Sequence, residues 1–120
     1  MAPDIPRPRT SPLYGSLGLL ILNVLRRDGP LHGLEIADRI RDRSDDHLKI
    51  EEGALYPALH RLQRQGLLLN EWRVSDKGRR AKFYDLSPSG TVALEEEIER
   101  WRSHTRAVGL VLDLPANRLP

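Results

Sequence analysis

Cysteine is absent from the 120 residues of this chain. Disulfide bonds, thiolate metal sites and cysteine redox switches are therefore excluded. Long apolar runs are also missing, because the longest, from Leu17 to Leu25, is interrupted by Asn23 and falls short of the roughly 20 residues that cross a bilayer. The first 12 residues are rich in proline, so no signal peptide is readable. We therefore expect a cytoplasmic protein without a membrane partner.

Patterns typical of catalysis and metal binding are missing as well. There is no nucleophile motif, no glycine-rich phosphate loop and no convincing pair of carboxylates. The 4 histidines lack a metal-ligand spacing, and Asp45-Asp46-His47 fits a polar connection better than a set of ligands. We predict that the chain is not an enzyme and binds no metal or cofactor.

Positive charge is concentrated in one part of the chain. The formal net charge is only +2, but between His60 and Lys82 seven basic residues stand against two acidic ones. Between Ser89 and Trp101 the sign reverses, with four glutamates against Arg100. This distribution predicts that one surface attracts polyanions and another does not.

The stretch from Ile50 to Leu67 has two different faces when it is read as a helix. Leu55, Leu59 and Leu62 form an apolar stripe, the helix is expected to begin near Glu52, and Gly66 is positioned as a C-terminal cap. The opposite face is suited to a polar, anionic partner and carries Gly53, Tyr56, Pro57, His60 and Arg64. Tyrosine, arginine and suitably oriented histidine donate hydrogen bonds to phosphates or base edges. We interpret this stretch as a DNA-recognition helix; an ordinary solvated face is the alternative.

A basic hairpin is predicted directly after this helix. Leu67 to Val74 and Ala81 to Leu86 are the expected strands, and the turn from Ser75 to Arg80 contains Gly78. A slender, positively charged turn suits contact with phosphates or with the minor groove. The candidate DNA-binding residues of this wing are Lys77, Gly78, Arg79, Arg80 and Lys82. A generic basic turn is the alternative.

Two further helices are predicted before the recognition helix. Ser16 is expected to cap the first, which ends at Asp28-Gly29-Pro30 and buries Leu17, Leu20, Ile21, Val24 and Leu25. The second runs roughly from His32 to Arg43, with Leu34, Ile36, Ala37 and Ile40 as its apolar residues.

The last helix carries a long apolar seam. Ser87 is its predicted cap, with Pro88 at the first helical position, and Leu114-Pro115 ends it. The seam has the heptad-like spacing of a helix that packs along another helix: Leu94, Ile98, Trp101, Thr105, Val108 and Leu112. Because so small a domain cannot easily bury the whole seam, a second copy of the chain is the expected partner. The seam could also be completed by the partner's N-terminal helix.

Together these elements predict a mainly α protein with a small β-hairpin. Its architecture is a winged helix-turn-helix domain, residues 13–86, followed by a long C-terminal dimerisation helix, residues 87–114. Residues 1–12 are interpreted as a flexible basic arm or merely a disordered tail, and residues 115–120 as a C-terminal tail.

Several segments resemble the PadR family of transcriptional regulators, and more narrowly its short members with a single dimerisation helix. The resemblance covers roughly Leu17 to Leu112 and rests on Gly29-Pro30-Leu31-His32-Gly33, the run from Glu51 to Leu62, the run from Gly78 to Leu86, and Glu99-Arg100-Trp101. It implies a homodimeric repressor that binds double-stranded DNA at a promoter operator and is often released by a small aromatic or lipophilic effector.

Individual positions match the family pattern. Tyr56 matches a DNA-facing tyrosine of the recognition helix, and Gly78, Arg79 and Arg80 match the wing tip. Trp101 matches a tryptophan near the interface where some members bind ligands, so it is a candidate effector-binding residue, although most such aromatic residues are simply core. Glu51 and Glu52 depart from the family pattern and repel phosphates. They favour the rival hypothesis, a ligand- or protein-binding winged-helix dimer that does not read DNA.

Overall fold

The computed structural model describes residues 12–115, with side chains described from residue 16 onward. The elements in chain order are α1 (Pro12–Asp28), β1 (Leu31–His32), α2 (Gly33–Arg43), α3 (Glu52–Arg64), β2 (Leu68–Val74), β3 (Arg80–Leu86) and α4 (Pro88–Leu112). The predicted class, mainly α with a small hairpin and a long last helix, is confirmed. The predicted arm and tail lie outside the described residues, apart from Pro12 and Pro115.

Helix α1 begins earlier than the sequence predicts. Ser16 is a buried residue inside the helix and not its N-cap, since the helix already starts at Pro12. Proline fits the first turn of a helix because the N–H that it lacks would have no intrahelical partner there. The helix ends as predicted at Asp28, and Gly29 follows with φ +79°, a conformation that favours glycine.

Helix α2 is preceded by a short strand that the sequence analysis missed. Leu31 and His32 pair antiparallel with Tyr84 and Phe83 of β3. His32 is also the N-cap of α2: its Nδ1 accepts a hydrogen bond from the Glu35 backbone N–H, and the Glu35 carboxylate accepts one from the His32 N–H. This reciprocal capping box satisfies two N–H groups that a helix start leaves unpaired.

Helix α3 has the bounds and the buried stripe that its sequence predicts. It begins at Glu52 and buries Leu55, Leu59 and Leu62. Pro57 lies inside the helix, where its lack of an N–H removes the hydrogen bond that another residue would donate to the Gly53 carbonyl. Gly66 follows the helix with φ +79°, and the chain then enters β2.

The three strands form one antiparallel sheet in the order β1-β3-β2. In the β2–β3 hairpin Leu68 lies opposite Leu86, Trp72 opposite Lys82 and Val74 opposite Arg80. Since side chains alternate between the faces of a strand, one face of the hairpin runs from the core at Leu68 outward to Trp72 and Val74. The hairpin therefore projects beyond the core as a wing, as predicted.

A single apolar core joins the helices to the base of the sheet. Its fully buried side chains come from α1, α2, α3, β3 and α4 and include Ile21, Leu25, Ile36, Leu55, Leu59, Tyr84 and Leu94. Leu34 of the predicted apolar set in α2 is instead 49% exposed, because it lies in the first turn of α2, toward the wing side of the core. The core fixes α3 with one face inward and one face free.

The start of α4 is hydrogen-bonded to the residues that follow α3. The Ser87 hydroxyl donates a hydrogen bond to the Gly66 carbonyl, 2.7 Å away, and accepts one from the Gly90 N–H at 2.9 Å. The predicted cap at Ser87 and proline at the first helical position are confirmed. A Cβ on Gly90 would lie 2.2 Å from the Leu67 carbonyl oxygen, so only glycine allows this approach.

The predicted α4 seam divides into two parts. Leu94, predicted for the dimer interface, is fully buried in the core of its own chain and leaves no exposed surface for a second copy. Ile98 is half-buried against the same core. Beyond it the helix leaves the domain, and Trp101 and Thr105 are partly exposed while Val108 and Leu112 are exposed.

Candidate nucleic-acid interface

The outward face of α3 carries four of the five residues of this helix that the sequence predicts for DNA contact. Gly53, Pro57, His60 and Arg64 are all exposed. They recur at helical spacing, so they share one side of the helix, opposite the buried leucines. Arg61 is not among the predicted contacts; it is exposed beside His60, but it lines a separate cavity with Trp101.

Tyr56 lies at the edge of this face, against the start of α2. A Cβ built on Gly33 would be 2.8 Å from both Cε1 and the hydroxyl oxygen of Tyr56, so the ring packs directly on the glycine. Burial raises the pKa of Tyr56, and the nearby Glu52 carboxylate raises it further. The phenol therefore stays protonated at neutral pH and is available as a hydrogen-bond donor.

The tip of the wing is a tight turn with exposed charge. The Ser75 N–H donates to the Arg79 carbonyl at 2.7 Å, and the Gly78 N–H donates to the Ser75 carbonyl at 2.9 Å. Gly78 has φ +77°, which explains the glycine at this position. Lys77, Arg79 and Arg80 are exposed around the turn.

Cations lie over aromatic rings along the hairpin. The Arg80 guanidinium is 5.0 Å from the centre of the Trp72 ring, and the Lys82 ammonium is 5.8 Å from that of Tyr84. On the other face Arg73 lies 5.1 Å from the Phe83 ring. Such contacts hold the long side chains on the strand surface at a gain of roughly 0.5–1 kcal/mol each at exposed sites. The wing thus presents its positive charge in a partly ordered form.

An open groove of about 720 Å³ separates the wing from the start of α2. Its wing side carries the predicted cations Lys77, Arg79, Arg80 and Lys82, and Tyr56 of α3 lines it as well. Its α2 side carries Glu35 and Asp38. The structure therefore brings Tyr56 and the four predicted wing cations together around one groove, which Asp76 of the wing also lines.

The acidic residues at the start of α3 lie in the open. Glu51 and Glu52 are exposed at the N-terminal end of the helix. Negative charge there suits the positive end of the helix dipole. It also lowers the positive potential at that end of the face, so the basic surface is centred on the C-terminal half of α3 and on the wing.

Trp101 lines a second, smaller cavity on another side of the domain. This cavity of about 280 Å³ lies between α1, the C-terminal half of α3 and α4. Leu19, Leu22 and Leu62 supply apolar walls, and Arg61 supplies a cation. Trp101 is therefore neither fully buried core nor freely exposed, and it faces space that a small molecule could enter.

Trp72 lines the groove beside the wing, although it is not among the contacts predicted from the sequence. It is 58% exposed on the hairpin face that carries Arg80 and Lys82. The alternation of β2 gave the available signal, because Leu68, Asn70, Trp72 and Val74 share one face. The pairing of β2 with β3 decides what this face lies beside, so the sequence of β2 alone does not predict it.

A winged helix-turn-helix with a basic wing and a long C-terminal helix defines a class of transcriptional regulators, and comparison with known proteins agrees. Residues 21–96 match the transcriptional regulator PadR-like family. The chain belongs to this family, whose members are transcription factors and not enzymes. The predicted resemblance is thereby confirmed.

Solved structures of related regulators share the fold. A transcriptional regulator from Clostridium thermocellum superposes with a TM-score of 0.73 at 27% identity, covering 81% of this chain and 93% of that one. A PadR family regulator from Eggerthella lenta gives 0.72 at 30% identity, covering 86% and 87%. A transcriptional regulator from Mycobacterium tuberculosis is 39% identical over 70 residues, which are 58% of this chain and 62% of that protein's length. The match thus spans less than two thirds of that relative.

Within residues 12–115, no helix is both long and apolar enough to cross a membrane. The longest helix, α4, carries the charged residues from Glu95 to Arg106.

Proposed function

We propose that this chain is a homodimeric repressor that binds an inverted-repeat operator in double-stranded DNA. The observation that carries the proposal is the shared groove of Tyr56 and the wing cations. A helix with a free polar face suits the major groove, and a slender basic hairpin suits the flanking backbone or minor groove. Repression follows when the bound dimer occupies a promoter.

On α3 the proposed DNA contacts are Gly53, Tyr56, Pro57, His60 and Arg64. Gly53 and Pro57 have no long side chains, and a Cβ on Gly53 would meet nothing within 4 Å, so DNA can approach this end of the helix closely. Tyr56, His60 and Arg64 supply donors to bases or phosphates. On the wing, Lys77, Gly78, Arg79, Arg80 and Lys82 supply affinity rather than sequence choice, because phosphates are alike in every sequence.

The proposed dimer is supported by the free part of α4. Val108, Leu110, Val111 and Leu112 at its end, and Leu114 just beyond it, are all exposed in the single chain, and Val111 reaches 82%. Exposed apolar residues in such a run mark an interaction surface, since burying them in an interface is favourable. A second copy that covers them with its own α4 or with its α1 would also set the distance between the two recognition helices.

Release by a small aromatic or lipophilic effector is part of the proposal. The cavity beside Trp101 is lined by α1, α3 and α4, so a flat apolar ligand in it would contact both the recognition helix and the dimerisation helix. Such a ligand lowers DNA affinity only if it prefers a dimer geometry that spaces the recognition helices wrongly. Unchanged operator affinity with candidate ligands at saturation would contradict this part.

The test is fluorescence anisotropy of the full chain with its own upstream DNA and with a scrambled duplex, across a salt series. We expect a clear preference for the upstream DNA and an affinity that falls steeply as salt rises. Equal, weak binding to both duplexes would mean that the operator lies elsewhere. A folded dimer that binds neither duplex at low salt would refute DNA binding and favour a ligand- or protein-binding role.

The wing is tested with the double substitution Arg79→Ala and Arg80→Ala. Because each cation releases about one counterion on binding a phosphate, the slope of log affinity against log salt should fall by about two, on both duplexes. Arg102→Ala, an exposed cation on α4 paired with Glu99, is the matched control and should leave binding unchanged. An unaltered slope in the double variant would remove the wing from the interface.

A further inference from the structure

The wing carries an exposed indole, that of Trp72, and the positive charges of the wing do not explain why it is exposed. Trp72 is 58% exposed, whereas tryptophan side chains are highly buried on average. Its contact with the Arg80 guanidinium covers only part of the ring, and more than half of the residue stays exposed to water. Keeping so large an apolar surface in water is unfavourable, so a partner that covers it would gain affinity.

The position of Trp72 restricts what that partner can be. It lies opposite Lys82 in the hairpin, and Arg80 lies over its ring. It also lines the same groove as Tyr56 of α3. A molecule that reaches Tyr56 and the wing cations together therefore passes along Trp72.

The chemistry of the surface fits one strand of duplex DNA. Along a nucleic-acid backbone, charged phosphates alternate with apolar faces of deoxyribose. On the wing, a guanidinium and an ammonium stand next to an apolar ring. A purely anionic partner would pair with the cations but leave the Trp72 ring exposed to water. A purely apolar partner would cover the ring but leave the cations unpaired.

We propose that Trp72 is a positioning residue for DNA, packing against a deoxyribose while Arg80 and Lys82 bind the adjoining phosphates. The inference rests on the proposed DNA-binding function and deepens it. The ring contact fixes how deeply the wing sits on the backbone, and through the hairpin it fixes the approach of α3. Because deoxyribose is the same at every position, this contact strengthens binding to any sequence.

An apolar contact and a phosphate contact respond differently to salt. Replacing a phosphate-binding cation changes the slope of log affinity against log salt, because fewer counterions are released. Replacing an apolar contact lowers affinity by the same factor at every salt concentration. Trp72 and Arg80 can therefore be distinguished although they touch each other.

The experiment measures binding of Trp72→Ala, Arg80→Ala and Leu69→Ala, in the full chain, to the upstream and scrambled duplexes across a salt series. Leu69 is the matched control, since it is 55% exposed on the same strand but on the opposite face. We expect Trp72→Ala to lose affinity on the order of tenfold on both duplexes, with the slope unchanged. Arg80→Ala should lower the slope by about one, and Leu69→Ala should bind like the original chain.

A second measurement does not depend on the alanine variant being folded. The conservative variant Trp72→Phe retains a ring, and subtracting its emission from that of the original chain isolates the fluorescence of Trp72. We expect this difference signal to change when DNA is added, as the indole leaves water.

The outcomes separate the inference from the function on which it rests. If the original chain binds DNA and Trp72→Ala binds equally well, the role of Trp72 is refuted and the proposed function stands. The same holds if the original chain binds DNA and the difference fluorescence does not change when DNA is added. If neither the original chain nor Leu69→Ala binds either duplex, both fail together. A loss of affinity for Trp72→Ala that comes with a lowered salt slope, as for Arg80→Ala, would show that the ring serves only to place Arg80, and would also refute the deoxyribose contact.

Discussion

Tyr56 packs so closely on Gly33 that a side chain at residue 33 would have to displace the tyrosine ring. A Cβ there would lie 2.8 Å from the hydroxyl oxygen of the tyrosine and 2.9 Å from Cζ. Gly33 is the first residue of α2, so this contact joins the start of the second helix to the free face of the third. The orientation of a candidate DNA-contacting phenol is thereby set by a glycine on another helix.

Replacing Gly33 with alanine should displace the Tyr56 ring and destabilise the fold. We expect a loss of about 1–3 kcal/mol in the free energy of unfolding, as for other overpacked sites, with weaker DNA binding. Chemical denaturation and anisotropy measure the two effects. In a Tyr56→Ala background the same change should cost little, because the clashing ring is gone.

Gly53→Ala is the matched control for this prediction. Gly53 is also near a helix start, but nothing lies within 4 Å of a Cβ there, so its replacement should not destabilise the chain. Equal costs of Gly33→Ala with and without the Tyr56 ring would contradict the packing explanation.

Ser87 should be necessary for the junction between α3 and α4. Ser87→Ala removes both the hydrogen bond to the Gly66 carbonyl and the cap on Gly90, at a buried position. We expect a loss of about 1–2 kcal/mol in the free energy of unfolding, measured by chemical denaturation. Ser89→Ala, two residues along and exposed, should cost far less; a similar cost for both would refute the assigned role.

The free part of α4 predicts different effects at two seam positions. Val108→Glu should break the dimer and leave each chain folded, because Val108 is exposed in the single chain. Ile98→Glu should also destabilise the chain itself, since Ile98 packs against its own core. Analytical ultracentrifugation reports the assembly and thermal unfolding reports the fold.

A variant that no longer dimerises should also lose affinity for the operator, because the two half-sites are then bound independently. Ser103→Glu, which adds the same charge at an exposed polar position of α4, should affect neither property. A monomeric Val108→Glu chain that still binds the operator tightly would overturn the proposed architecture.

Asp28 should make stability depend on pH in the acidic range. The hydrogen bond from Arg43, 2.6 Å from both carboxylate oxygens, lowers the pKa of Asp28 below its ordinary 3.8, and Arg39 contributes. Because the folded-state pKa is the lower one, the stabilisation is present above pH 3.8 and is lost as pH falls through the folded-state value.

Asp28→Asn should therefore reduce stability slightly at neutral pH and flatten its decline on acidification. The pair lies near the surface, so an effect of about 1 kcal/mol or less is expected. Denaturation at a series of pH values measures it. Asp42→Asn, exposed on α2, provides the comparison, and identical pH profiles for the two variants would contradict the assigned ion pair.

Local signals in the sequence were enough to predict α3, the hairpin and the start of α4. Leucines at helical spacing, a glycine after α3 and a Ser-Pro pair before α4 each act within a few residues of the feature that they determine. The strand β1 gave no such signal, because two residues are too short for any periodicity, and it exists only through pairing with β3. Ser16 is a related case, because a serine that could cap a helix can also lie inside one, as it does in α1.

The sequence by itself determined which stretches form α2, α3, α4 and the two strands of the hairpin, and which charges the wing would carry, because these properties depend on neighbours along the chain. Only the tertiary structure decided that Leu94 belongs to the core while Val108 is free, since both occupy equivalent places in one heptad-like seam. It also decided that Trp72 lines the same groove as Tyr56 and that Tyr56 rests on Gly33. Such contacts join residues far apart in sequence, and their distances are set by how the core packs the elements together.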